Sequence, residues 1–497
     1  MSSIGPSGSS GNISAQAIAD IRDQIKILSR QLSTGKKATT ISELGQSVYR
    51  SVDLRARLAR LSAYDESRAS ATTNLQSTSA AVNSFAESAS QVETTTLSLA
   101  TTPTSSNRAS VTTELRRQFS DLVSYLNTDV DGNYLFGGKQ AGTLPVIDAS
   151  LILDGSGGRA GLKQYIAERQ AADLGTSHMG RLQLSNTPNS ISLAETGTGG
   201  VFGFTIKGVT SSDPAITAST LSGNPLQTTF TVAGQPAAGS TITVTLGLPD
   251  GTSTDVTLTA SGGSGTNPFT IGATLADTTN NIKAALQTAL GSTSDVQLYA
   301  ASAKVAALDY FKGSTTNPPR RVAGPPYDTA TGFVAGTSDN TVLWYQGTDD
   351  SSDPRNDRVT QIDERASAGF GARANELGFI ESLANAAVLA VTNYSSSNET
   401  LAQSQFSELR DRARSGLSQA KTDVTATRVS LGLVQKTVKS RTDDQNAQKA
   451  VFESALSSIE DAPLDQTAVS LSSLQTQLQA LYQLTAKLQS LSLANYL

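Results

Sequence analysis

From Leu417 onward, Leu417, Val424, Leu431, Val438, Gln445, Phe452 and Ile459 stand seven residues apart without a slip. A strict seven-residue repeat drifts against the 3.6 residues of a helical turn, so such a helix must wrap around partners to keep its seam covered. Pro463 interrupts the run, and Leu471, Leu474, Leu478, Leu481 and Leu488 then restore a three-and-four spacing. The other end of the chain follows the same logic. Ile18, Ile21, Ile25, Leu28 and Leu32 form a heptad seam that breaks at Gly35 in "STGKK". A second helical run carries Leu54, Leu58 and Leu61, then two interleaved series, Leu75/Val82/Ala89 and Phe85/Val92/Leu99, before Pro103. A third, about 107–127, carries Val111, Leu115, Leu122 and Leu126. Neither end buries its seam alone, so the two ends are expected to pair. Their outward positions are mostly Ser, Thr, Gln and Asn rather than Glu/Lys pairs, which suits helices packed among many neighbours.

The middle changes register. It is rich in Gly, Thr, Ser and Pro, and "TITVTLGLPDGTSTDVTLT" (241–259) reads as two alternating strands around a Pro-Asp-Gly turn. "FGFTIKG" (202–208), "QTTFTVAG" (227–234) and "NTVLWYQG" (340–347) read as further strands, with one helix among them at 273–290. "STTNPPRRVAGPPYD" (314–328) reads as a linker and Arg320–Arg321 as linker charge. The expected fold is therefore α+β: N- and C-terminal helices forming a coiled-coil-like rod, with a β-rich central domain inserted at its tip. The expected domains are a disordered tail (1–13), an N-terminal helical region (14–140), a β-rich outer domain (141–374, with an added module at about 200–313) and a C-terminal helical region (375–497).

Chemistry is excluded more than suggested. The 497 residues include no Cys and a single His, which removes disulfides, thiolate catalysis and Cys- or His-built metal centres. A net charge of −5 gives no footprint for nucleic acid. No apolar window is long enough for a membrane span. The start, "MSSIGPSGSSGNIS", has neither the basic nor the apolar region of a cleavable signal peptide.

"NTDVDGNYLFGG" (127–138) begins like a calcium loop, with Asn127, Asp129, Asp131 and Gly132 in place, but the twelfth position, where a bidentate Glu is needed, is Gly138. The alternative is a helix stop followed by a tight turn. "GNYLFGGKQ" is one residue too long for a phosphate loop, and Gln140 stands where Ser or Thr holds magnesium. His178 has no catalytic arrangement beside it and reads as structural. "DDSSDPRND" (349–357) reads as a solvated turn. These observations predict no enzyme, no catalytic residues, no cofactor and no metal.

Five stretches carry a resemblance. "LSTGKK" (32–37), "SSIEDA" (457–462) and "LQTQLQALYQLTAKLQSLSLANYL" (474–497) resemble the terminal signatures of the flagellin family. "DGNYLFGG" (131–138) is similar to a motif of that family's hook-associated members, the proteins of the hook–filament junction, and "WYQGTDD" (344–350) resembles the strand and acidic turn closing their variable domain. One departure is "ATTISELGQ" (38–46), which stands where the family has a Ser-Asp-Asp-Pro turn.

The resemblance implies a structural component of the bacterial flagellum, located outside the cell and exported without a cleaved signal peptide. It implies a helical or ring homo-oligomer, with flagellin, another hook-associated protein, the export apparatus and a chaperone as partners, and without nucleic acid. The assembly seam would be Ile18, Ile21, Ile25, Leu28, Leu32, Leu471, Leu474, Leu478, Leu481 and Leu488. The turn motif would be Asp131, Gly132, Tyr134, Leu135, Phe136, Gly137 and Gly138. A filament flagellin with an outer β-rich domain is the alternative reading. A secreted adhesin or enzyme on a helical stalk is the third, and it would need a site within 141–374.

Overall fold

A computed structural model describes residues 9–97, 104–197, 200–261 and 264–494, with side chains from Ala15 to Lys487. The tail up to residue 8, Leu99, Pro103, the Leu488 side chain and the final residues 495–497 lie outside what is described.

Ten helices order the described chain: α1 (Ser9–Thr34), α2 (Val48–Leu97), α3 (Ser105–Leu126), α4 (Ala149–Asp154), α5 (Leu162–Leu174), α6 (Leu275–Thr293), α7 (Tyr299–Lys312), α8 (Leu377–Val391), α9 (Glu399–Glu460) and α10 (Leu464–Ala494). Helix α1 begins inside the stretch read as a tail. Local chemistry sets several other ends. The Thr104 side chain accepts from the Asn107 N–H at the start of α3. Thr274 and Asp277 cap α6 reciprocally. Pro463 stands between α9 and α10, where it cannot continue a helical ladder.

The strands are short: β1 (Asp129–Val130), β2 (Asn133–Tyr134), β3 (Gly155–Ser156), β4 (Arg159–Ala160), β5 (Leu182–Thr187), β6 (Ser190–Glu195), β7 (Thr205–Ser211), β8 (Ile216–Ala218), β9 (Gln227–Val232), β10 (Thr241–Gly247), β11 (Ser253–Ala260), β12 (Pro268–Phe269), β13 (Arg321–Val322), β14 (Phe333–Val334), β15 (Val359–Asp363) and β16 (Ala366–Gly369). The chain divides into two compact units. The first comprises the described residues of Met1–Ser70, Gln361–Ala366 and Thr437–Leu497; the second comprises those of Ala71–Thr360 and Ser367–Lys436. Both limits in the helical regions fall inside long helices, α2 and α9.

In the first unit α1 packs along α10. The heptad series of α9 also meets α2 here, and its one polar member explains itself. Gln445 is buried, donates to the Ile362 carbonyl at 3.0 Å and accepts from Arg68, which is itself 2% exposed and paired with Asp65. A buried cation needs this company, since an unpaired one costs several kcal/mol.

In the second unit two four-stranded sheets, ordered β5-β6-β9-β8 and β12-β11-β10-β7, share one core with α6. All pairings are antiparallel except the short β11–β12 pair. Ile191, Leu193 and Phe230 from one sheet, Ile206, Val244 and Leu258 from the other, and Ile282 and Leu286 from α6 are fully covered. In β10 the covered residues alternate with threonines, the period-two pattern of a one-sided strand. The core runs from Leu182 to Ala301, so the module starts before residue 200.

Three expectations need correction. The centre holds α4, α5 and α7 besides α6, not one helix. "NTVLWYQG" is not a strand: it forms only isolated bridges, Ala160 with Thr341 and Val146 with Tyr345, because Trp344 turns inward to donate its Nε1–H to the Phe311 carbonyl at 2.9 Å. Arg321 is not linker charge. It is 9% exposed, sits in β13, pairs with Glu168 and donates to the Asn340 carbonyl at 2.7 Å.

Candidate functional site

The two signature stretches at the ends of the chain meet in the first unit. The Lys37 N–H donates to the Glu460 carbonyl at 2.7 Å, the Ala462 N–H donates to the Gly35 carbonyl at 2.9 Å, and Lys37 Nζ reaches the Ser458 carbonyl at 2.6 Å. Lys36 pairs with Asp461 at 2.5 Å. Glu460 is 6% exposed and accepts from Ser51 and, at both oxygens, from Arg55. The Arg55 hydrogen bonds hold its carboxyl below the usual range, and the Lys36 ammonium does the same for Asp461. The departure at "ATTISELGQ" is a 3₁₀ turn over Ile41–Ser47, in which Glu43 accepts the Thr39 N–H at 3.0 Å.

The seam itself is unfinished. Ile18, Ile21, Ile25 and Leu28 on α1, and Leu471, Leu474, Leu478 and Leu481 on α10, are only half-buried. Leu32 is 40% exposed, and Ile27 and Leu484 are exposed beside the seam. Covering a side chain of this kind contributes roughly 1.5–3 kcal/mol, so each of these residues retains part of that gain for a further partner.

"NTDVDGNYLFGG" is the opposite case. β1 and β2 pair with Val130 facing Asn133, and the two residues between them, Asp131 (φ 52°) and Gly132 (φ 76°), are left-handed as in a type I′ hairpin turn. Asp129 spends its carboxylate on the Gly132 N–H at 3.0 Å. Among the described residues no group of three or more His, Asp or Glu side chains is placed to hold a metal ion.

Beyond the turn the chain dives inward. Tyr134 is half-buried, while Leu135 and Phe136 are covered. Phe136 packs edge-on against Phe379 of α8 at 5.7 Å, and Phe379 packs against Phe85 of α2 at 4.9 Å. Gly138 is left-handed (φ 64°), and a side chain there would lie 2.5 Å from the Asp357 carboxylate and 2.8 Å from Thr348. The Gly137 carbonyl accepts the Thr348 N–H at 3.1 Å, and the Gly138 N–H donates to the Ala372 carbonyl at 3.2 Å.

The acidic stretch completes this arrangement: Asp350–Asp353 form an exposed turn, as read from the sequence, and Asp350 and Asp357 also hold an arginine. Arg373 is 3% exposed and donates to the Asp357 and Ser352 side chains, each at 2.8 Å, and to the Asp350 carboxylate and carbonyl, each at 2.7 Å. Lys139 reaches Asp350 from the glycine side at 2.9 Å. Hydrogen bonds from Ser352, Lys139 and Arg373 hold the Asp350 carboxyl well below the ordinary range. "DDSSDPRND" is thus a clamp on an arginine, and it locks the double glycine in place. No local pattern announces this, because its members are distant in sequence. His178 lies at the surface, 3.1 Å from Asp295 and 65% exposed.

Residues 10–141 match the bacterial flagellin N-terminal helical region, and residues 415–497 match the bacterial flagellin C-terminal helical region. The chain therefore carries both terminal regions of the flagellin family, a structural, non-enzymatic family whose exported members self-assemble into flagellar polymers. It is a structural component of the flagellum. No curated protein matches the chain. Among the described residues no helix is long and apolar enough to cross a membrane.

Proposed function

We propose that this flagellar component is the junction protein between hook and filament, of the hook-associated protein 3 type. The observation that carries the reading is "DGNYLFGG", whose Tyr134–Gly138 segment is fixed by α8 and the Arg373 clamp rather than left as a surface loop. In this reading residues 14–140 and 375–497 are the assembling helical regions and 141–374 the outward domain. The seam residues Ile18, Ile21, Ile25, Leu28, Leu32, Leu471, Leu474, Leu478, Leu481 and Leu488 meet other copies. Its partners are flagellin, another hook-associated protein and the export apparatus. A chaperone holds the terminal helices during export, which uses no cleaved signal peptide. The half-buried seam supports this, since helices of this kind order fully only when stacked.

A filament flagellin with an outer sheet domain is the second reading, because the same seams serve both. Monomer seeded with filament fragments and imaged by electron microscopy separates the two. The junction protein stays monomeric, binds isolated hook ends and lets flagellin grow from them. Long filaments grown from this chain alone would make it a flagellin.

A further inference from the structure

In the second unit a cleft of about 220 Å³ lies between α5, the end of α7, the loop after it and β14. Its walls include Tyr165, Asp309, Lys312, Asn317, Arg320 and Phe333. The loop is set in advance. The Ser314 N–H donates to the Asn317 carbonyl at 3.0 Å, the Asn317 N–H donates to Ser314 Oγ at 2.9 Å, and a side chain at Gly313 would strike Pro319 at 2.4 Å. Two adjacent prolines stiffen the wall further.

The cations around the cleft are treated differently. Arg169 is neutralised by buried Asp173 at 2.7 Å, and Arg321 by Glu168. Lys312 and Arg320, both exposed at the cleft, form no direct ion pair among the described residues, and the Asp309 carboxylate on the same wall attracts both of them through space. Arg320 is nevertheless oriented: its guanidinium lies 4.9 Å over the Phe333 ring, whose surroundings also include Arg169 at 5.4 Å and Phe202 at 4.9 Å. The Tyr165 hydroxyl donates to the Arg320 carbonyl at 2.7 Å and fixes the backbone there. The Asp309 carboxylate and the Asn317 side-chain amide have no hydrogen-bond partner among the described residues.

We propose that this cleft binds an anionic saccharide unit, with Lys312 and Arg320 taking its carboxylate or phosphate group and Asp309 and Asn317 taking ring hydroxyls. Lys312 and Arg320 against the single Asp309 carboxylate leave the cleft one positive charge in excess, which favours a singly charged anion, and a guanidinium offers paired donors to a carboxylate or a phosphate. A bare phosphate leaves most of the space unfilled. A ring carrying both an acid and hydroxyls satisfies all four side chains. Because the loop is already formed, binding orders little of the protein, which favours affinity for a small ligand.

The test is calorimetric titration of the full chain with glucuronate, glucose 6-phosphate, glucose and inorganic phosphate, on the wild type, Lys312→Glu and Asn317→Ala. The two sugar acids should bind, their ratio telling carboxylate from phosphate. Glucose should bind at least about tenfold more weakly, and Lys312→Glu should lose about tenfold or more toward both acids. Asn317→Ala should weaken the sugar acids and leave inorganic phosphate unchanged. Both substitutions are on the surface, and the near-ultraviolet signal of Trp344 reports whether the fold is kept. Equal binding of glucose and glucuronate, no binding of either acid, or indifference to Lys312→Glu would overturn the proposal. Inorganic phosphate binding as tightly as the sugar acids would reduce it to a simple anion site and overturn the saccharide. If Lys312→Glu instead abolished self-association in sedimentation, the occupant would be an acidic side chain of a second copy.

Discussion

The paired helices α1 and α10 carry an apolar seam and the buried helix α8 is apolar on nearly every side, and the two are finished to different degrees. All of α8 from Gly378 to Val391 is covered except Glu381, which is half-buried. Along α1 and α10 no described seam residue is fully covered. The first pattern belongs to a core that is complete in one chain, where the turn motif and its clamp are rooted. The second belongs to the surface that the proposed function assigns to other chains. What separates them is whether the second face of the helix has a neighbour.

Substitutions that damage one region and spare the other test this contrast. The largest effect on the isolated chain should come from Phe136→Ala. It opens a cavity between Phe379 and the double glycine and should cost about 3–5 kcal/mol in denaturant unfolding. A loss below about 1 kcal/mol would show that the motif is not part of the finished core. Arg373→Ala should follow at about 3 kcal/mol, because it strands the fully covered Asp357 carboxylate. Arg373→Lys should recover only part of this, since one ammonium cannot reproduce the fork to Asp350, Ser352 and Asp357.

Glu460→Gln should cost about 1–2 kcal/mol at neutral pH. The folded carboxyls of Glu460 and Asp461 titrate below their ordinary values of 4.5 and 3.8. Their contribution is therefore present above those values and lost as the pH falls through the lower, folded ones. Thermal unfolding between pH 7 and pH 3 should fall less steeply in Glu460→Gln than in the wild type. Parallel curves would mean that this junction does not contribute to the acid response. The smallest effect on the monomer should come from Leu478→Ser with Leu481→Ser, about 1 kcal/mol each at half-buried sites. The same pair, or removal of residues 472–497, should nevertheless stop the chain joining the tube while leaving the second unit folded. Retained assembly would sink the seam argument.

The sequence exposes what repeats locally. The heptads of α9 and α10, the Thr274/Asp277 cap and the turn between β10 and β11 are each written within a few residues. Helix α8 is hard to read for the opposite reason. "LANAAVLAV" is apolar on every side, so it shows no amphipathic period to separate a helix from a buried strand. "NTVLWYQG" has the composition of a strand, but Trp344 and Tyr345 are held by the Phe311 carbonyl and an aromatic cluster rather than by a ladder. Asp350, Asp357 and Arg373 look like turn residues and a stray cation until tertiary structure brings them together. The turn motif was readable as a turn, yet what holds it was not, because the clamp lies on a different part of the chain.

The bond between Lys36 and Asp461 joins residues 425 positions apart. At the usual pace of synthesis, several to twenty residues per second, roughly 20–85 s separate the appearance of the two. Throughout that interval α1 has no α10 to lie against, and the junction of the two signatures cannot close. The contacts of α1 with α10, Arg22 over Tyr482 among them, come later still. If the proposed seam is the assembling surface, a ribosome-bound or half-translocated copy cannot enter the polymer early, and chain length keeps the order of events.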